Sequence, residues 1–536
     1  MPADIVTAFR EMLSQAENLV SGVSPFSREE KGDDRSRVEA WRNMFESSCR
    51  LAVVGSAKQG KSTLVNALLQ HDWSAVGCTE TTGTICVMTN KRPLQASRPV
   101  HCVSHDGKGT RWVSLAEADA MQGHDREQLA RAENVRWLEY ALGHLAPPFL
   151  ADFELVDTPG TGAIIGADGK THDDISLGFV KDVDALLLVT QDTLGELNKE
   201  ILKAFQSNRS IDGGAAVFIV CTQADIDCQS VAKMRQKKLD KSSAVREEAI
   251  SNYQFADSTR VFAVSAALEN TLRRVGDAGF SALYEKLRSS CRNSDDISDE
   301  LLEWVESVLG HAAPLDVILD AVFTANSPNE LMETLHDLAG VQELNRFITE
   351  EMRAKKLVYR MDRLLTVVTN YFQYDYGSRI SGYKELLSRE QAAYARFCRM
   401  MDGDPDFQSG QLGALLKQVR NNFSQQGVEE VENGRLRLVS RLQELSHSMK
   451  LLKQREEVFT YYCSHRNRFT SEESEEIEAV CERNGRLFNP SLEYVGQRRN
   501  YWRSKADRMI FADMQYFCQI MKKIYERYII DLSATG

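Results

Sequence analysis

The sequence predicts an α/β domain, a mostly parallel sheet with helices on both faces, joined to an α-helical bundle that draws on both ends of the chain. Three observations predict it. Leu51 to Leu69 reads LAVVGSAKQGKSTLVNALL, an apolar run, then Gly-x-x-x-x-Gly-Lys-Ser, then helical spacing at Leu64, Ala67 and Leu68. That is the strand, loop and helix order a phosphate-binding loop requires. Further apolar runs at Val183–Val189, Ala215–Cys221 and Arg260–Val264 alternate with helical stretches, the signature of buried parallel strands. From Leu357 onward the periodicity is helical, and proline is absent between Pro405 and Pro490.

Composition bounds what such a chain can be. Its 536 residues exceed one ordinary core, so two or three domains are expected. With 43% hydrophobic and 26% charged residues the chain has the composition of a folded protein. The net charge of −12 opposes bulk attraction to nucleic acid or anionic lipid, and no nucleic-acid partner is expected. Eleven cysteines, with no Cys-x-x-Cys pair, suggest neither a disulfide framework nor a zinc knuckle. They read as reduced thiols of a cytoplasmic protein. Asp4 and Glu11 sit in an amphipathic pattern unlike a secretion signal. No apolar run approaches the length of a membrane span, so any membrane contact is expected to be peripheral.

Taken in order, Ile5, Phe9, Met12, Leu13, Ala16 and Leu19 predict a first helix that ends at Gly22 and Pro25. A second is expected from about Asp34, with Val38, Trp41 and Phe45 on one face. In the phosphate loop, Gly55 and Gly60 let the backbone wrap close to phosphate while Lys58, Gln59 and Thr63 frame it. Lys61 would reach the β- and γ-phosphates, and the Ser62 hydroxyl would bind Mg2+.

The loop Gly77–Thr84 must supply a threonine to bind Mg2+ and hold an attacking water. Thr79, Thr81, Thr82 and Thr84 are available, and Thr82, just before Gly83 and a strand, is favoured. His101 and His105 lack acidic or cysteine partners at ligand spacing and read as structural. Phe153–Gly160 runs as a strand into Asp-Thr-Pro-Gly. Asp157 would hold Mg2+ through a water, and the Gly160 N–H would contact the γ-phosphate. Gly162, Gly166 and Gly169 suit a moving segment after it.

The strand Ala215–Cys221 leads into Thr222-Gln-Ala-Asp225. Asp225 would accept two hydrogen bonds from a guanine, which adenine cannot supply. Gln223 stands where such loops usually carry lysine, so base choice survives and affinity is at stake. Ser265 and Ala266, after the last strand, fit a final base-contacting loop. Four such sites in order, each at a strand end, define a P-loop GTPase.

Gly55–Ser62, Glu80-Thr-Thr-Gly83, Phe149–Gly160, Val183–Val189 and Thr222–Asp225 together resemble the dynamin superfamily, and more closely its bacterial-type members. The resemblance covers roughly residues 35 to 350 and is carried by those motifs. It implies a large GTP-hydrolysing domain joined to a helical bundle from both flanks, with GTP and Mg2+ as ligands. It also implies a homodimer through the GTPase domains that stimulates hydrolysis, higher oligomers or a related GTPase partner, and membrane remodelling in many members. Two positions depart from the pattern. Ala57 and Lys58 replace the glutamine and serine of eukaryotic dynamins, and Gln223 replaces the lysine.

The domains expected are N-terminal helices at 1–48, a GTPase domain at 49–350 with a helical insert at 295–328, and a bundle at 351–536. Both Gly279–Leu287 and Gly340–Ile348 resemble the glycine-led helix that closes the family's GTPase domain, and the second is preferred. Leu438, Leu442, Leu445, Met449 and Leu452 read as bundle core. Two basic stretches, Lys233–Lys241 and Arg498–Arg508, read as solvated helix faces. The function expected is GTP hydrolysis with Mg2+ that couples switch movement and GTPase-domain dimerisation to assembly, with a membrane as a candidate place for it. The alternative is a GTP-dependent scaffold with negligible turnover. Asp225 opposes a third reading, an ATPase.

Overall fold

The computed structural model describes residues 3–22, 26–56, 58–73, 84–104, 110–121, 135–158, 179–206, 216–253, 261–401, 425–482 and 488–535. The chain divides into two compact units, one made of 48–359 with 510–517 and the other of 1–47, 360–509 and 518–536.

The first unit holds a nine-stranded sheet among the described residues. Its strands are β1 (Cys49–Val54), β2 (Cys86–Thr89), β3 (Val100–Ser104), β4 (Arg111–Val113), β5 (Val135–Ala141), β6 (Phe153–Asp157), β7 (Ala185–Thr190), β8 (Val217–Cys221) and β9 (Val261–Ala263). Their order is β4-β3-β5-β2-β6-β1-β7-β8-β9. From β6 to β9 every neighbouring pair is parallel. The loops after β6, β1, β7, β8 and β9 therefore all leave one edge of the sheet, where open α/β folds bind ligands. β2 joins this parallel half antiparallel to β6, and β3 and β4 extend an antiparallel wing.

β7 and β8 are buried at every residue, which is why they read as unbroken apolar runs. Val53 and Asp157 are paired in register, so the carboxylate ending β6 stands beside the last turn of β1. A second apolar cluster in this unit unites Leu268, Leu283, Val305, Ile318, Val322 and Leu335. It joins the helix Ala266–Ser290 to Asp299–Leu309, Leu315–Thr324 and Pro328–Ala339. Gly279 lies inside Ala266–Ser290, which bends at the non-helical Gly276, whereas Gly340 at φ 70° ends one helix and opens Val341–Phe347.

In the second unit, α1 (Ala3–Ser21) and α2 (Arg28–Glu46) pair through Phe9 and Phe45, with ring centroids 4.9 Å apart. Helix α2 begins six residues earlier than the apolar spacing predicts. Ser27 caps it in a capping box with Glu30. Asp34, on its buried face, accepts from Arg379 Nη2 at 2.7 Å and from the Tyr371 hydroxyl. The helices Tyr376–Met401, Gln425–Ser464, Ser471–Val480 and Leu492–Arg508 follow. Leu438, Leu442, Leu445, Met449 and Leu452 are buried, as their spacing requires. The stretch around Trp502 is not a plain solvated face: Arg498 pairs with Glu476 and Lys505 with Glu473, and Trp502 is buried with its Nε1 donating to Glu476 at 2.9 Å. No described helix is long and apolar enough to cross a membrane.

Candidate nucleotide-binding site

The loop between β1 and α3 (Lys61–Leu69) is shaped by contacts that few side chains would allow. A Cβ on Gly55 would meet the Val189 carbonyl at 2.4 Å, so only glycine lets β7 pass this closely. Gly60 caps α3 from the left-handed region at φ 79°. Gln59 closes the loop on itself, its Oε1 accepting from the Ser56 N–H at 2.7 Å. Lys61 opens α3 and folds back, its Nζ donating to the Ser56 carbonyl at 2.9 Å. An ammonium held this way fills the cradle where an anion's oxygens would accept from it.

One residue along, the Ser62 hydroxyl donates to Asp157 Oδ2 at 3.0 Å. Asp157 is fully buried. A hydroxyl and a carboxylate oxygen converging at the mouth of a phosphate loop are hard donors of the kind Mg2+ takes, so these residues fit that ion. Thr158, after β6, is tied down by its hydroxyl to the Val53 carbonyl at 3.0 Å. Thr82 and Gly160 lie outside the described residues, as do Ala57 and the three glycines that follow Gly160. Of the threonines considered beside Thr82, Thr84 is described, and its hydroxyl donates to the Met121 carbonyl at 3.0 Å. His101 stacks on Trp112 with centroids 5.0 Å apart.

The loop after β8 is sewn to the phosphate loop. Thr222 Oγ1 donates to the Gln59 carbonyl at 2.7 Å, and Gln223 Nε2 to the Lys58 carbonyl at 3.3 Å. Gln191, after β7, donates to the same Lys58 carbonyl at 3.1 Å. Gln223 lacks the charge of the usual lysine, and its amide links two loops. Asp225 and the residues to Gln229 line a cavity of about 450 Å³ opposite Ala312–Asp316.

Ser265 is committed to the fold. It is fully buried, its hydroxyl caps the next helix by accepting from the Leu268 N–H at 3.1 Å, and its own N–H donates to the Ala339 carbonyl at 2.9 Å. Ala266 opens that helix. Asn270, unsignalled in the sequence, donates through Nδ2 to the Thr63 carbonyl at 3.1 Å and fastens α3 to it. At the end of β8, burial pushes the Cys221 thiol up to about 12, which keeps it neutral and inert.

Residues 51–224, from β1 through the loop after β8, match the model of the Dynamin family. Over these residues the segment is similar to that family's domain. It contains the glycine loop, the Ser62–Asp157 pair and Thr222 described above. Among individual proteins, the chain is similar to isoniazid-induced protein IniA of two Mycobacterium tuberculosis strains, at 28% identity over 198 residues. That alignment spans 37% of this chain and 29% of the relatives' length. Among solved structures, the chain is similar to one described as an oligomerised bacterial dynamin pair for long-range sensing and tethering of membranes. There the identity is 12%, the coverage 99% of this chain and 76% of the other, and the TM-score 0.31. Toc33 of Arabidopsis thaliana with GDP and Mg2+ is similar at 15% identity, 43% and 76% coverage, and a TM-score of 0.22.

Proposed function

We propose that this chain binds GTP with Mg2+ and hydrolyses it, and that two GTPase domains pair to stimulate the reaction. The observation that carries the reading is the convergence of Ser62 and Asp157 beside a glycine cradle holding Lys61, inside the dynamin-family segment. In this reading Lys61 neutralises charge on the transferred phosphoryl, and Ser62 with Asp157 holds Mg2+, which supplies further charge stabilisation when bound. Thr82 and the Gly160 N–H serve the γ-phosphate and the attacking water. Asp225 selects guanine, and since Ser265 is spent on the fold, the backbone of Ala266 is the remaining contact of the last loop. Pairing of the domains then drives assembly, at a membrane surface where the protein acts peripherally.

The test is GTP turnover per molecule across a protein concentration series, with Lys61→Ala as control and with anionic liposomes as a separate arm. Turnover that rises with concentration and vanishes in Lys61→Ala is the expected result, and stimulation by liposomes supports the membrane part. Flat turnover equal to that of the variant, with GTP still tightly bound, overturns the enzyme and leaves a nucleotide-gated scaffold. ATP bound as well as GTP overturns the assignment of Asp225.

A further inference from the structure

We infer that Lys241, on the helix Val231–Tyr253, is a positioning residue for base recognition: it holds the Thr222–Asp225 loop in the shape that aims Asp225 at a guanine. The inference rests on the reading of this loop as the guanine site. Lys241 Nζ donates to the Thr222 carbonyl at 3.3 Å and to the Gln223 carbonyl at 3.2 Å, and pairs with Asp192 Oδ1 at 3.0 Å. An ammonium has three donors, and here three acceptors meet them. The Lys241 side chain is only 10% exposed, so the charge is committed rather than solvated.

The loop needs such a clamp. Gln223 sits at φ 55°, a left-handed conformation that crowds a side chain with a Cβ against the backbone. On one side the loop is bound to the phosphate loop through Thr222 and Gln223. On the other, Lys241 gathers its two successive carbonyls and fastens them to the turn after β7, whose Gln191 reaches the phosphate loop as well. Gln223 brings no charge to the position that ordinarily carries lysine. Lys241 delivers a cation to the same loop from a neighbouring helix.

The rest of its basic stretch is occupied elsewhere. Lys233 bonds Gln229, Arg235 pairs with Asp337, and Lys238 donates to the Asp337 carbonyl. Lys237 holds the Ile226 carbonyl just past Asp225.

The experiment measures equilibrium affinity for GTP and for inosine triphosphate, which lacks the 2-amino group, in the full chain as wild type, Lys241→Met, Lys241→Arg and Asp192→Asn. Loss of charge-assisted hydrogen bonds to the loop is expected to weaken GTP binding about tenfold or more in Lys241→Met. The preference for GTP over inosine triphosphate is expected to shrink with it, because a misplaced Asp225 no longer reads the 2-amino group. Lys241→Arg should retain most of both, and Asp192→Asn should narrow the preference partway. Circular dichroism and melting of the nucleotide-free variants separate folding from recognition. If Lys241→Met does not fold, Asp192→Asn decides alone.

An unchanged preference in folded Lys241→Met (or in Asp192→Asn where Lys241→Met does not fold), or equal weakening of both nucleotides there, makes Lys241 merely structural and overturns the inference. A wild type that binds GTP without preferring it to inosine triphosphate overturns the guanine reading and this assignment together. A wild type that prefers GTP, with variants that prefer it as strongly, overturns the role of Lys241 alone.

Discussion

Single atoms decide this site. The Val189 carbonyl passes where a Cβ on Gly55 would stand, 2.4 Å away, and backbone cannot yield there as a flexible side chain would. Gly55→Ala must push β1 from β7 at the phosphate loop. We expect it to abolish nucleotide binding, read by titration with a fluorescent GTP analogue, even where circular dichroism still shows a folded chain. Gly55, Lys61, Ser62, Asp157 and Asp225 were all legible in the sequence, since each sits at a fixed offset from an apolar strand. Asn270, Gln191 and Lys241 were not legible. Asn270 and Lys241 reach the site from helices outside the motifs and Gln191 from the turn just after β7, and only folding sets their distances.

Elements add effects that depend on pH and burial. Glu269, on the helix Ala266–Ser290, is buried beside His336 of the helix Pro328–Ala339, with Nδ1 to Oε2 at 3.5 Å. The Glu269 carboxylate raises the imidazole above its ordinary 6.5. The folded state therefore binds the proton more tightly than the unfolded chain. That contribution is complete below about 6.5 and is lost as pH rises through the raised folded value. Thermal melts should show stability declining through this window above 6.5, and His336→Gln should flatten the decline. In the helical unit, Arg498, Trp502 and Tyr525 all donate to Glu476, which is 6% exposed. Burial beside that carboxylate raises the Tyr525 phenol far above its ordinary value. Glu476→Ala leaves the Arg498 guanidinium only the longer pair with Glu472 at 3.5 Å and leaves the buried Trp502 and Tyr525 donors without Glu476, and a loss of about 3 kcal/mol is expected in denaturant unfolding. The charge run at 498–508 could not announce this from sequence, because its partners lie on another helix. The start of α2 was readable in principle from Ser27 and Glu30, a cap signal that the apolar spacing alone passes over.

At the scale of the whole molecule, the concentration dependence of GTP turnover is the measurement that joins site to assembly, since pairing of domains is second order in protein while a self-sufficient site is not. By itself the sequence determined the parallel half of the sheet, the order of its loops and the helical character of both flanks. The physical reason is local. A buried strand needs an unbroken apolar run, a phosphate loop needs glycine where backbone must crowd, and a packed helix needs its stripe. Only the tertiary structure decided that Ser62 meets Asp157, that Ser265 is spent on a cap, that Gln223 links two loops, and that Lys241 clamps one of them. Those outcomes depend on distances between residues remote in the chain, and such distances exist only once the strands have taken their register and the helices their places.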